Sequence, residues 1–353
     1  MPQVERSLPC ESAFVRTCIG RRMTGALVVA ALLGACGDSG GAADTADTRT
    51  STSSEAHLSG MTAGSIDTAA LGAPYLGPLT FSWPADCEVD VAESVLRKDV
   101  RAELSYKLGL VAEGDHIVVS YRDMEVLEVA GRSLSDKERR DAAVPFLLPE
   151  MVVDAAGEVI EVRGMDALID QIADLDPSLR DVASSPTFAQ TIESSAISKY
   201  WNVWAGGWAM WGSFEETEEE GYYEAADGSA PGSPDFTMYS LGTTESARAV
   251  LRREEILAGP QLAEALGVVM GSLGEDLGKP PDTDAFAGFD GERVTTTEVV
   301  TDPATLRPDS THLRIDLEAT FEGETQSVVE ERTAVFDWSS STCAAAKPSA
   351  PAP

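Results

Sequence analysis

Runs of alternating apolar and polar residues occur near both ends of the chain, and this pattern is typical of β-strands with one buried face. Two short β-rich runs in Met151–Arg163 flank the turn Asp154–Gly157 and predict a hairpin. The other predicted strands are 79–83, 88–96, 101–110, 116–129, 221–225, 236–241, 292–301, 312–322 and 325–338. These runs predict a fold in which antiparallel sheet dominates both ends of the domain.

The middle of the chain changes to a helical pattern. Apolar spacing predicts helices over Asp166–Leu175, Thr187–Trp211, Ser246–Leu257 and Pro260–Leu273. Strands, then helices, then strands again indicate an α+β fold, with antiparallel sheet or sheets at both ends and a helical middle section packed on the sheet. Two separate β-rich halves flanking the helices are the alternative.

The N-terminus has the parts of a secretory signal peptide. Arg21 and Arg22 precede the apolar stretch Ala26–Leu33, and small residues follow before Cys36. This stretch is too short to span a bilayer, which takes about 20 apolar residues. The segment Leu33-Gly34-Ala35-Cys36 resembles the lipobox of bacterial lipoproteins, whose cysteine receives diacylglycerol and becomes the mature N-terminus. The alternative is an ordinary secretory signal with an unrelated cysteine.

The resemblance implies an exported protein held on a membrane by lipid at Cys36. The residue after Cys36 is Gly37. Because the family's inner-membrane retention signal is an aspartate at that position, the outer membrane is favoured over the inner one. The expected organisation is a signal peptide over 1–35, a disordered lipidated tether over 36–75, a single domain over 76–343 and a disordered tail over 344–353. The hairpin from Asp154 to Gly164, followed by a helix, is similar to one in uncharacterised bacterial lipoproteins and implies no active-site residue.

Two cysteines remain after the leader and the lipobox. Cys87 and Cys343 lie near the two ends of the predicted domain, and neither belongs to a metal-binding spacing. In an oxidising compartment this isolated pair predicts one disulfide. The alternative is two separate thiols. We therefore expect neither a metal site nor a cofactor.

The charge balance limits the possible partners. The chain carries 26 Lys and Arg against 59 Asp and Glu, a formal charge of −33. Such a surface repels phosphate backbones, so a nucleic-acid partner is not expected. A soluble, dispersed exported protein is the simplest interpretation of the charge.

Four of the six tryptophans form a stripe in the middle section. Trp201, Trp204, Trp208 and Trp211 are spaced 3, 4 and 3 residues apart, which places them on one face of a helix. Two interpretations follow. The stripe packs on the sheet as core, or it lines a pocket or surface for an apolar ligand or an envelope protein. Because a buried indole N–H needs a hydrogen-bond partner, four indoles together favour a semi-polar cavity over a dry core.

Catalytic side chains are scarce in the predicted domain. His116 and His312 are its only histidines, and the sequence has no nucleophile elbow, phosphate-binding loop or zinc-protease motif. We therefore expect a noncatalytic cell-envelope lipoprotein that binds an apolar ligand or an envelope partner through the tryptophan-rich helix. The alternatives are a structural or interaction module with a buried stripe, and a carboxylate-based hydrolase that would need an Asp or Glu beside His116 or His312.

Overall fold

The computed structural model describes residues 68–97, 100–143, 146–175, 185–209, 222–225, 235–264, 267, 276, 290–321, 324–339 and 343. All of them fall within the unit Ala63–Pro353. The predicted signal peptide, Cys36, most of the predicted tether and the predicted tail lie outside these residues. Across the described ranges, no helix is both long and apolar enough to cross a membrane.

A single antiparallel sheet dominates the described part of the chain. Its strands are β1 (Cys87–Arg97), β2 (Val100–Glu113), β3 (His116–Val129), β4 (Arg132–Ser133), β5 (Glu150–Val153), β6 (Val159–Arg163), β7 (Tyr222–Ala225), β8 (Asp235–Thr243), β9 (Ala249–Ala258), β10 (Asp290–Asp302), β11 (Arg307–Phe321) and β12 (Glu324–Asp337). Their order is β6-β5-β3-β2-β1-β12-β11-β10-β9-β8-β7, with β4 paired to β3. The first and last long strands therefore meet in the middle of the sheet, where Ala92 pairs with Val335. The predicted antiparallel sheet is confirmed.

The helical middle section is smaller than the sequence pattern predicts. The predicted helix over 246–257 is wrong, because most of these residues form β9, which pairs with β8 and β10. The described helices are a 3₁₀ turn (Thr68–Ala70), α1 (Asp136–Ala143), α2 (Met165–Leu175), α3 (Pro186–Ala196), a π-helical turn (Ile197–Trp201), α4 (Asn202–Trp204), α5 (Gly206–Ala209) and a short helix over 259–264. The fold is thus a large sheet with few helices rather than a sheet at each end of a helical section.

The start of α3 follows from its local sequence. The Ser185 hydroxyl accepts a hydrogen bond from the Phe188 backbone N–H at 3.0 Å, and Pro186 occupies the first helical position. Both features are favoured at helix N-termini. The helix then continues into residues 197–209, which we call the aromatic plug because they carry Tyr200 and three tryptophans.

The sheet curls around the aromatic plug. Trp201 Nε1 donates a hydrogen bond to the carbonyl of Gly157, in the turn between β5 and β6, at 2.9 Å. Seven residues further along the chain, the Trp208 ring lies 5.9 Å from the Arg253 guanidinium of β9. In a flat sheet, β5 and β9 would lie about 34 Å apart, whereas seven helical residues span only about 10 Å. One short segment can reach both strands only because the sheet wraps around it. We call the face that surrounds the plug the inner face.

One end of the curled sheet is closed by residues 71–84, which we call the strap. Its backbone N–H groups bond to β8 and to the β10–β11 turn: Gly72 to the Thr243 carbonyl, Tyr75 to the Ser240 hydroxyl, Thr80 to the Pro303 carbonyl and Ser82 to the Thr305 carbonyl. The strap leads into Cys87, which forms the predicted disulfide with Cys343, with the two Cα atoms 4.9 Å apart. Residues 68–75, the last part of the predicted tether, therefore include backbone fixed to β8.

Candidate functional site

The three described tryptophans of the stripe lie in the core. Trp201, Trp204 and Trp208 are only 1%, 2% and 0% exposed, and Trp211 lies outside the described residues. Trp204 packs edge-on against Tyr200 at 5.7 Å and against Phe336 of β12 at 5.5 Å between ring centroids. The three described tryptophans do not form the wall of an open pocket, which favours the interpretation of the stripe as core.

Backbone carbonyl groups satisfy two of the buried indoles. Trp201 Nε1 donates to Gly157, and Trp208 Nε1 donates to the Val203 carbonyl at 3.0 Å. These N–H groups therefore do not need the semi-polar cavity that the sequence favours. A Cβ at Gly207 would collide with the Asn202 carbonyl and with Arg253, so glycine allows the plug to approach β9 this closely.

A group of charged residues on the inner face is the most unusual feature of the described structure. It consists of Glu93 and Arg97 of β1, Glu330 and Arg332 of β12, and Lys199 of the plug, and we call it the charged cluster. Glu93 and Arg97 have the same strand parity as the core residues Val89, Val91 and Val95. Glu330 and Arg332 have the parity of Ala334 and Phe336. The alternation that buries the core therefore also points these charges inward.

Glu330 is the centre of the charged cluster. Its side chain is 3% exposed and accepts hydrogen bonds from three cations: Arg332 Nε at 2.8 Å, Lys199 Nζ at 3.4 Å and Arg97 Nη2 at 3.4 Å. Burial opposes ionisation of this carboxyl, but the three cations hold its pKa well below the ordinary value. Glu330 is therefore a buried carboxylate stabilised by three cations.

The second carboxyl group, Glu93, has weaker compensation. Arg332 Nη1 lies 3.3 Å from it, and the Tyr106 hydroxyl donates to it at 3.0 Å. Burial raises the pKa of Glu93, although both neighbours act in the opposite direction. Arg332 also contacts the Tyr200 hydroxyl and stacks over that ring at 4.8 Å, which joins the plug to β12.

Lys199 reaches the charged cluster from the π-helical turn. Burial lowers the pKa of its ammonium group to about 8, although Glu330 acts to raise it. A π-helical turn inserts one residue into a helix and often occurs at functional sites. Strongly perturbed titratable groups are also common there.

Apolar residues adjoin the charged cluster along the inner face. In the sheet register, Arg97 pairs with Val100, and Glu330 pairs with Ile315. Val100 is 37% exposed, and Leu317, two residues beyond Ile315 on the same face, is half-buried. Partly exposed apolar and charged side chains thus lie together at the end of the sheet opposite the strap, an arrangement that can bind an amphipathic molecule.

The two histidines do not share a site. His312 Nδ1 lies 3.7 Å from Glu298 on the outer face of the sheet, and His116 lies 3.3 Å from its exposed neighbour Asp115. Glu298 is 1% exposed, and one of its oxygens accepts a hydrogen bond from Arg252 Nε at 2.8 Å. His312 therefore has a carboxylate beside it, but Glu298 is buried and its charge is balanced by Arg252.

The charged cluster was not predicted from the sequence. Its signal was present: Glu93 lies between Val91 and Val95, and Glu330 and Arg332 lie between Val328 and Ala334, at positions where the alternation demands apolar residues. Lys199 had no comparable signal, because its direction depends on the π-helical turn.

The sequence matches no family model and no curated protein. Among solved structures, it is similar to one of lipid–protein interactions in lipovitellin, with 8% sequence identity and a TM-score of 0.36. The alignment covers 71% of this chain but 24% of that one, so this chain spans about a quarter of the lipovitellin chain's length. A TM-score of this size does not establish a shared fold. The functional conclusion therefore rests on the residues of this chain.

Proposed function

We propose that this protein is an exported, noncatalytic lipoprotein, anchored to the cell envelope through lipid on Cys36, whose curled sheet binds an apolar ligand. The ligand lies along the inner face at the end opposite the strap, and the tryptophan stripe supports that face from within. The outer membrane is the favoured location, because Gly37 follows Cys36.

The exposure of Val100 is the observation that carries the proposal. Val100 has inner-face parity and pairs with Arg97, yet more than a third of it is open to solvent. Ile315 and Leu317 continue the apolar surface on β11 and are also incompletely buried. Covering such side chains with an apolar chain is favourable by about 25 cal/mol per Å² removed from water.

The surroundings of the histidines support the noncatalytic proposal over the hydrolase alternative. A general base needs access to a substrate. Glu298 is both enclosed and paired with Arg252. The carboxylates beside His116 are those of Asp115 and Glu113, and both side chains are exposed.

An interaction module without a ligand is the second candidate. The burial of Trp201, Trp204 and Trp208 favours it, because the stripe needs no ligand to cover it. The two candidates differ in what happens at Val100, since only ligand binding requires that side chain to contact an apolar chain.

Binding of oleyl alcohol to the mature chain carrying Cys36→Ser tests the ligand proposal. We expect a 1:1 complex in native mass spectrometry and a binding constant measurable by tryptophan fluorescence. Val100→Asp should weaken binding at least tenfold. Val111→Asp is the matched control, since Val111 is 42% exposed on the opposite face of the same strand and should leave binding unchanged. If neither oleyl alcohol nor any other C18 amphiphile forms a complex with the unmodified sheet, the interaction module becomes the better hypothesis.

Metabolic labelling tests the anchor. Cells expressing the full chain and fed an alkyne fatty acid should yield a labelled protein in the membrane fraction. Cys36→Ser should abolish the label and release the protein from that fraction. A labelled Cys36→Ser protein, or an unlabelled wild-type protein, would contradict lipidation at this cysteine.

A further inference from the structure

In the charged cluster the cations face solvent, although the chain as a whole is strongly acidic. The side chains of Arg97 and Lys199 are 39% and 18% exposed, whereas those of Glu330 and Glu93 are 3% and 4% exposed. Water at this end of the inner face therefore meets cations, with the carboxylates behind them. In a chain of net charge −33, this local reversal of sign calls for an explanation.

The cluster also has more cations than carboxylates. Arg97, Lys199 and Arg332 share Glu93 and Glu330, and burial already raises the pKa of Glu93. Two further arginines point to the inner face: Arg253, whose partner is Glu255 at 2.9 Å, and Arg293, which has no ion-pair partner among the described residues. The inner face is thus positively charged relative to the rest of the protein.

Several donors on this face lack acceptors. The Nε atoms of Arg97, Arg253 and Arg293 are buried, and none has a hydrogen-bond partner within the part of the chain that the structure describes. Arg253 as a whole is only 8% exposed. A buried donor without an acceptor is unfavourable, and an anionic group on a ligand would satisfy such a donor.

From this charge arrangement we infer that the ligand is an amphiphile with one anionic head group, held by Lys199 and Arg97, and with its apolar chain on Val100, Ile315 and Leu317. This inference rests on the proposed function and specifies the ligand class. A guanidinium with a free Nε–H binds a carboxylate or phosphate oxygen, and the ammonium of Lys199 supplies a second charge. Carboxylates and phosphates share this chemistry, so both belong to the class.

Three ligands with the same C18 chain and different head groups distinguish the contribution of the head group to affinity from that of the chain. They are oleate, oleyl phosphate and oleyl alcohol, titrated at pH 7 into the mature chain carrying Cys36→Ser. We expect at least one of the two anions to bind ten or more times more tightly than the alcohol. Equal affinity for all three would overturn the inference and leave the proposed function intact. Binding of none of them would overturn both.

Variants then locate the head-group site. Lys199→Met and Arg97→Met should each reduce the preference for the anion to threefold or less, and Lys199→Arg should keep it. Arg101→Met is the matched control, because Arg101 is exposed on the outer face at the same end of the sheet and should preserve the preference. A full preference in both Lys199→Met and Arg97→Met would overturn the assignment. Because the wild-type comparison needs no variant, a variant that fails to fold does not remove the test.

Discussion

The Trp201 indole donates its N–H to the Gly157 carbonyl at 2.9 Å, which fixes the aromatic plug to the turn between β5 and β6. The two residues are 44 positions apart in sequence, and the bond is buried. Phe81 of the strap packs edge-on against Trp201 at 5.7 Å between ring centroids. The plug, the strap and one edge of the sheet therefore meet at Gly157.

Gly157→Ala should destabilise the domain strongly. Gly157 has a φ of +88°, and a Cβ there would lie 2.9 Å from the Ala209 Cβ and 3.0 Å from the Phe81 ring. A left-handed backbone costs a non-glycine residue about 1–2 kcal/mol, and overpacking adds about 1–3 kcal/mol. Gly164→Ala is the matched control, since Gly164 has a φ of +77° and a Cβ there would meet no described atom within 4 Å. Urea unfolding should show a larger loss for Gly157→Ala, and equal losses would refute the packing argument.

The sheet was largely predictable from sequence, because one face of each long strand is buried. Alternation located β1, β2, β3, β10, β11 and β12. It failed for β9, where Arg252, Arg253, Glu254 and Glu255 separate two apolar groups and imitate helical spacing. Pairing with β8 and β10 outweighs that local pattern. The curl of the sheet was not predictable, because it depends on contacts between the plug and strands distant in sequence.

Arg332→Met should be costly because two buried carboxyl groups lose a common partner. Arg332 lies 2.8 Å from Glu330 and 3.3 Å from Glu93. Removing one partner of a buried ion pair typically costs about 3–5 kcal/mol. The matched control is Arg314→Met, on the outer face of β11, where a 40% exposed side chain pairs with Asp316 and Glu331 and should contribute about 1 kcal/mol or less. Urea midpoints for both variants compare the two losses, and a larger loss for Arg314→Met would contradict the importance of the charged cluster.

Loss of the disulfide should destabilise the domain without changing the sheet. Cys87 and Cys343 are 256 residues apart, so their bond restricts a long loop in the unfolded chain. In the chain-entropy model a bond closing so long a loop contributes about 5–6 kcal/mol, and loss of a native disulfide typically costs about 2–5 kcal/mol. Cys87→Ala and Cys343→Ala should each lower the free energy of unfolding by the same amount as the double variant, since either one removes the cross-link. Circular dichroism should show unchanged strand content. A double variant as stable as the wild type would show that the bond does not stabilise the fold.

Stability should rise between pH 8 and pH 10 because of Lys199. Burial lowers the pKa of its ammonium group to about 8 in the folded state, whereas an unfolded lysine titrates near 10.4. Below pH 8 the group is charged in both states. Between the two values the unfolded chain binds more protons, so the free energy of unfolding increases with pH, by on the order of 2 kcal/mol in total. The rise should end near pH 10, since burial raises the pKa of Tyr200 and only the unfolded tyrosine then ionises.

Urea unfolding at pH 7.5 and pH 9.5 measures this rise. Lys199→Met should abolish it, because no ammonium group remains at the charged cluster. Lys107→Met is the control: Lys107 has a 40% exposed side chain 3.9 Å from Glu88, and its loss should leave the pH dependence unchanged. If the wild type and Lys199→Met gained the same stability over this range, the Lys199 ammonium would have to be as favourable inside the folded protein as in water. That result would contradict the lowered pKa of Lys199.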